Sequence, residues 1–141
     1  MTEPFVPLDP DEQLGYLLVR AADQASRRWH AALRAHGVNP RQFSVLAMLA
    51  RDPGLSQAEL ARRVLVTPQS MSESLAGLVR AGLIAREPPE PGLPAQVSLT
   101  EAGRDLLAAA YPVIGSVDRA TFAALTGRER DDLRRLLRKL I

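Results

Sequence analysis

The chain has 141 residues, which is the size of one domain with one sizeable core, and its 46% hydrophobic and 24% charged residues exclude a disordered or collagen-like polymer. Eighteen Lys and Arg against sixteen Asp and Glu leave a formal charge of +2, too little for a polybasic tail, and the lack of cysteine excludes disulfides, thiolate metal sites and thiol redox chemistry. No apolar run reaches the roughly 18 residues of a membrane span and the acidic N-terminal stretch lacks the basic start of a secretion signal, so the expected location is the cytoplasm.

Asp9-Pro10-Asp11-Glu12 supplies an N-cap, a proline at the first helical position and an acid at N3, and predicts the start of a long helix. Leu14, Leu17, Leu18, Ala21, Ala25, Trp29, Ala32 and Leu33 follow at spacings of three and four, and Gly37 is the expected stop. Asn39-Pro40 repeats the cap and proline for a second helix with Phe43, Leu46, Ala47 and Leu49 on its apolar side, broken by Asp52-Pro53-Gly54. Ser56 and Glu59 have the spacing of a capping box, starting a short helix to Val64 that buries Leu60, Ala61 and Val64.

After the link Leu65-Val66, Thr67-Pro68 starts another helix reaching about Ala81, with Met71, Leu75, Leu78 and Val79 turned inward and Gly82 at its exit. Two helices joined by so short a turn predict a helix-turn-helix. The second presents Gln69, Ser70, Ser72, Glu73 and the narrow Gly77 as an outer polar strip that can approach base edges. Two strand-like runs, 83–86 and 96–99, bracket the proline-rich loop 87–94, which is the layout of a wing. Thr100 caps a further long helix containing Leu106, Leu107, Ala110, Ile114, Val117 and Thr121, with a bend expected at Pro112. Thr126 and Glu129 box the last helix, lined by Leu133, Leu136, Leu137 and Leu140.

The expected fold is mainly α with a small β-hairpin wing. A winged helix-turn-helix over 39–100 is flanked by N- and C-terminal dimerisation helices over 9–36 and 101–141, all within a single domain spanning 1–141. The segments PRQFSVLAMLA, LSQAELARRV, VTPQSMSESLAGLVRAGLIAR and VSLTEAGR, taken together, resemble the MarR family of bacterial transcriptional regulators along nearly the whole chain. The resemblance implies a homodimer whose terminal helices intertwine and whose two winged domains read the halves of a pseudo-palindrome. Independently, the apolar faces of the terminal helices need a partner to cover them. The expected function is therefore sequence-specific binding of double-stranded DNA to regulate transcription, as a repressor or an activator, with recognition helices about 34 Å apart in successive major grooves.

Helix starts at Ser56 and Thr67 can hold phosphates, and Gln57, Arg62 and Arg63 can anchor the flanking backbone, although two arginines on a helix read equally well as a solvated face. Base reading falls to Gln69, Ser70 and Ser72, with Gln69 best suited to a bidentate contact with adenine. Glu73 stands where these regulators often carry a basic residue, so it must accept from a cytosine amino group or pair with an arginine. The wing loop has only Glu87 and Glu90 as charges where many relatives carry an aspartate and arginines, which leaves Arg86 at its base to compensate. The family also implies a pocket between the terminal helices and the winged domain for a small aromatic or phenolic effector, with Trp29, His30, Phe43 and Tyr111 as its walls.

Ser70, Ser72 and Ser74 lack a glycine elbow, and neither His30 nor His36 is tied to them by pattern, so no enzyme is expected. The two histidines do not form a helical metal pair, and no metal or cofactor is expected. The alternative reading is a winged-helix module that binds another protein, its acidic, proline-rich wing having abandoned DNA.

Overall fold

The structure is a computed structural model that describes residues 5–87, 91–92 and 95–141. The Asp9 cap is used as expected, its carboxylate accepting from the Asp11 N–H at 3.0 Å, but it starts only a 3-10 turn, Pro10–Glu12. Gln13 is extended (φ −90°, ψ 110°), and the long helix α1 runs from Leu14 to Arg34. The start predicted at the proline is therefore corrected by one extended residue that interrupts the helical path. Arg20 reaches back to Asp11 at 3.0 Å and keeps the turn against α1. At the other end Gly37, with φ +70°, closes the helix as predicted, because a side chain would resist that left-handed conformation.

Helix α2 (Pro40–Arg51) begins with a reciprocal capping box between Asn39 and Gln42. Helices α3 (Gln57–Val64) and α4 (Pro68–Arg80) form the helix-turn-helix. The turn between them passes through Leu65 at φ 57°, with Val66 N–H bonded to the Ala61 carbonyl at 3.0 Å. A leucine in the left-handed region costs about 1–2 kcal/mol relative to glycine, which the packing of α3 on α4 must offset. Strands β1 (Ile84–Arg86) and β2 (Val97–Leu99) pair antiparallel, Ile84 opposite Leu99 and Arg86 opposite Val97. Each expected strand is one residue longer at its N-terminal end, Leu83 and Gln96 lying outside the ladder. The tip residues 88–90 and 93–94, including Glu90, lie outside the described residues.

The core is the winged domain itself. Leu46, Leu60, Met71, Leu75 and Leu78 are fully buried at the meeting of α2, α3 and α4, and Ile84 and Val97 close it from the hairpin. On α4 two expectations change. Val79 is 41% exposed, because it lies a further 100° around the helix from Leu78 and past the edge of the contact. Gly77 turns its side toward α2, where an added Cβ would stand 3.3 Å from the Gln42 amide nitrogen, so it belongs to the α2–α4 crossing and not to the outer strip.

Helix α5 (Glu101–Thr121) is seated on the base of the hairpin. Thr100 Oγ1 donates to the Gly82 carbonyl at 2.7 Å and accepts from Gly103 N–H at 3.1 Å, and Thr100 N–H donates to the Leu83 carbonyl at 3.2 Å. A Cβ on Gly103 would collide with the Leu83 carbonyl oxygen and come within 2.8 Å of Leu99 Cδ1. The helix continues through Pro112, whose exposed position leaves the orphaned carbonyl one turn back to solvent. Helix α6 (Gly127–Leu137) starts at the predicted Thr126–Glu129 box. In contrast to the core helices, α1 buries only Leu33 and α6 buries nothing, while Leu14, Leu17, Leu18, Leu136 and Leu140 are exposed.

Two predictions follow from this architecture. Gly103→Ala forces the hairpin away from α5 and is expected to cost about 1–3 kcal/mol or more, read as a lower urea midpoint with an unchanged slope. The Glu59 and Glu129 carboxylates are held below the ordinary glutamate value, chiefly by accepting the backbone N–H of Ser56 and Thr126 and then by their hydroxyls. A group depressed in the folded state stabilises fully above its unfolded pKa and loses that contribution as the pH falls through the folded value. The melting temperature should therefore drop in that acid range, and the double variant Glu59→Gln with Glu129→Gln should show a shallower drop.

Candidate nucleic-acid interface

Helix α4 buries Met71, Leu75 and Leu78, and the stripe diametrically opposite consists of Gln69, Glu73, Ala76 and Arg80. Gln69, Glu73 and Arg80 are exposed and Ala76 half-buried, and Ser72 lies on the flank, half-buried. Gln69 Nε2 lies 3.5 Å from Glu73 Oε1, one turn along the same stripe. Arg80 was missed by the sequence reading, which stopped at the N-terminal half of the helix. The 3.6-residue period extended to the helix end would have found it.

The hydroxyls nominated for DNA contact are mostly occupied by the helix starts. Ser56 Oγ accepts from Glu59 N–H at 3.2 Å and donates to the Glu59 carboxylate at 2.8 Å. Thr67 Oγ1 accepts from Ser70 N–H at 3.1 Å and donates to Ser70 Oγ at 3.1 Å. What remains at these starts is backbone: the N–H groups of Gln57 and Ala58 on α3, and that of Gln69 on α4, since Pro68 has none. Such groups suit an anionic oxygen without needing the capping hydroxyls.

The arginines are disposed differently from one another. Arg62 is exposed and makes no ion pair among the described residues, whereas Arg63 is paired with Asp52 at 2.6 Å, joining the end of α3 to the end of α2. Arg86, on β1, donates to Gln57 Oε1 at 2.7 Å, so the base of the wing is tied to the first residue of α3. The tie brings together two candidates that are far apart in sequence, beside the open N–H groups of α3. Glu87 follows, exposed, its N–H on the Gln96 carbonyl at 3.0 Å.

The four aromatic-pocket candidates divide three to one. Phe43 is buried on α2 and meets Trp29 of α1 edge-to-face at 6.0 Å and Tyr111 of α5 edge-to-face at 5.8 Å. Trp29 is half-buried and Tyr111 is 47% exposed, so the outer faces of this row are open. His30 lies about 100° around α1 from Trp29, exposed, with Nδ1 2.9 Å from the Ser26 carbonyl oxygen one turn earlier. It borders a shallow recess of about 360 Å³ with Arg34, Gly37, Val38, Asn39 and Gln42, and none of the three rings lines that recess.

Comparison with known proteins agrees with this arrangement. A sequence model described as "MarR family" matches residues 36–92, the helix-turn-helix and the beginning of the wing. The HTH-type transcriptional repressor Rv2887 of Mycobacterium tuberculosis is 39% identical over 134 residues, covering 94% of this chain and 96% of its own length. The crystal structure of that MarR family protein in complex with DNA superposes with a TM-score of 0.75 at 41% identity, covering 92% of this chain and 98% of the other. Its complex with salicylic acid gives 0.71 at 39% identity and the same coverage. With a relative this similar over almost the whole length of both chains, and with the winged helix-turn-helix in place, the chain belongs to the MarR family of transcriptional regulators.

Proposed function

We propose that the protein binds double-stranded DNA sequence-specifically, as a homodimer on a pseudo-palindromic operator, to regulate transcription, and that a small aromatic or phenolic acid releases it. The observation that carries the reading is the exposed polar stripe of α4, presented beside a hairpin whose base is locked to α3 through Arg86 and Gln57. Each element has a job in that complex. The α4 stripe enters the major groove, the N–H groups at the start of α3 together with Arg62 meet the phosphates, and Arg86 adds a cation at the wing's base. Arg63 contributes to the Asp52 pair first and to DNA only if that pair opens.

The homodimer follows from the terminal helices. Leu14, Leu17 and Leu18 share one face of α1 and are exposed, as are Leu136 and Leu140 at the other end of the chain. Exposed leucines in such numbers on two helices are covered most simply by the same helices of a second copy, which also sets the two α4 stripes in a two-fold relation. The terminal helices over 9–36 and 101–141 are thus assigned to dimerisation and 39–100 to DNA within one domain.

The relative's complexes with DNA and with salicylic acid support both halves of the reading. In this chain the row Trp29–Phe43–Tyr111 links α1, α2 and α5, and so joins the terminal helices to the winged domain. An aromatic acid seated on its open outer faces alters the relation of the two parts. A tenfold loss of operator affinity requires about 1.4 kcal/mol of preference for the DNA-incompetent arrangement.

Selection of bound duplexes from a random pool is expected to enrich an inverted repeat with half-sites about one turn apart. On that site Gln69→Ala should cost about 1–3 kcal/mol and on random duplex almost nothing. Arg62→Ala should weaken both and reduce the log-affinity against log-salt slope by about one unit. No enriched sequence and a flat salt dependence would instead indicate a protein partner. Because Trp29 is the sole tryptophan, salicylate should quench its emission saturably over the same concentrations that release the duplex. Release without quenching would remove the aromatic row from the effector site.

A further inference from the structure

Glu73 is the only carboxylate on α4, it is exposed, and it makes no ion pair among the described residues. Of the arginines of the helix-turn-helix and the wing base, Arg63 is on Asp52, Arg86 is on Gln57, Arg62 of α3 makes no ion pair with Glu73, and Arg80 sits about 10 Å farther along the α4 axis. Its one hydrogen bond among the described residues is from the Gln69 amide nitrogen at 3.5 Å. A carboxylate entering the major groove without a cation meets acceptors at guanine O6 and N7, adenine N7 and thymine O4, all repulsive, and donors only at cytosine N4 and adenine N6. Adenine's amino group stands between two acceptors, its own N7 and the O4 of the paired thymine, whereas cytosine's has an acceptor on one side only, the O6 of the paired guanine, and the C5–H on the other, so cytosine is the better partner.

Gln69 has two amide hydrogens. With one directed at Glu73, the amide cannot rotate freely, and its carbonyl oxygen and second N–H remain in the arrangement that adenine N6 and N7 require. Gln69 and Glu73 are separated by about 6 Å along the axis, or roughly two base-pair steps of 3.4 Å. Arg80 is about 16 Å from Gln69 along the same axis, at the C-terminal end of α4, whereas base edges are read from the N-terminal part of a recognition helix, so Arg80 is assigned to the sugar-phosphate rim.

We propose that Gln69 and Glu73 form one base-reading unit, in which Glu73 accepts from the N4 amino group of a cytosine and orients Gln69 toward an adenine about two base pairs away. The unit rejects guanine and thymine under Glu73, and the commonest cationic reading of guanine is absent from this helix. This specifies the base chemistry of the DNA-binding reading above and rests on it.

The test is a random-duplex selection run in parallel with the full-length wild type, Glu73→Ala and Glu73→Gln, all confirmed by melting temperature to be folded. The wild type should fix one cytosine per half-site with an adenine about two base pairs from it, and replacing that cytosine should weaken binding at least about fivefold. Glu73→Ala should lose the cytosine preference and blunt the adenine preference. Glu73→Gln, whose amide can turn to donate, should admit guanine at the same position. Retention by Glu73→Ala of the wild-type half-site with undiminished discrimination would overturn the unit while leaving the DNA-binding function intact. A wild-type half-site with guanine or thymine fixed under Glu73 would overturn it equally. If the wild type enriches nothing, the DNA-binding reading itself falls, and the unit with it.

Discussion

The close approach of α5 to the hairpin at Gly103 is the constraint on which the rest of the arrangement depends. The helix backbone lies so near the Leu83 carbonyl that no side chain fits, and Thr100 fastens the same junction with its hydroxyl and its N–H. Leu83 N–H is in turn bonded to the Leu78 carbonyl at 3.0 Å, so the end of α4, the start of β1 and the start of α5 are joined within a few residues. A wing can be placed beside a recognition helix only if its base is rigid, because the hairpin of two three-residue strands has almost no core of its own. The Arg86–Gln57 bond adds a second point of attachment, and together the two define the plane in which α4, α3 and the wing face outward.

The same junction connects the hairpin to the aromatic row. Helix α5 carries Tyr111 a few turns beyond Gly103, and Tyr111 packs on Phe43, which packs on Trp29 of α1. Edge-to-face contacts of this kind are worth about 0.5–1.5 kcal/mol each beyond the area they bury. The tenfold change in operator affinity in the proposed function calls for the same order of energy, about 1.4 kcal/mol. A ligand need only repack one such contact to matter, provided it favours one arrangement of the two parts over the other.

Electrostatically the interface is sparing. With a formal charge of +2, the protein draws no strong general attraction to DNA from its net charge. Arg63 and Arg86 are engaged within the fold, Arg62 and Arg80 stand at the edges of the reading surface, and the centre of the stripe is a glutamine and a carboxylate. For the proposed complex, such a surface implies weak binding to random sequence and an affinity gained from matching base edges.

Local signals in the sequence determined the helices and their starts. Asn39, Ser56, Thr67, Thr100 and Thr126 each cap the helix expected after them, Asn39 and Thr67 before a proline and Ser56 and Thr126 three residues before a glutamate, because a cap needs only residues within one turn. The helix-turn-helix, the wing and the apolar faces of the terminal helices were legible for the same reason. Only the tertiary structure decided which polar groups were free to act. Asp52 takes Arg63 and Gln57 takes Arg86 from outside their own elements, the Ser56 hydroxyl is occupied by its own box, and Gly77 faces Gln42 across a helix crossing. It also assembled Trp29, Phe43 and Tyr111 into one row while leaving His30 outside it. Periodicity tells which side of a helix is buried. It does not tell which neighbour a side chain at the boundary meets, because that depends on how helices far apart in sequence cross.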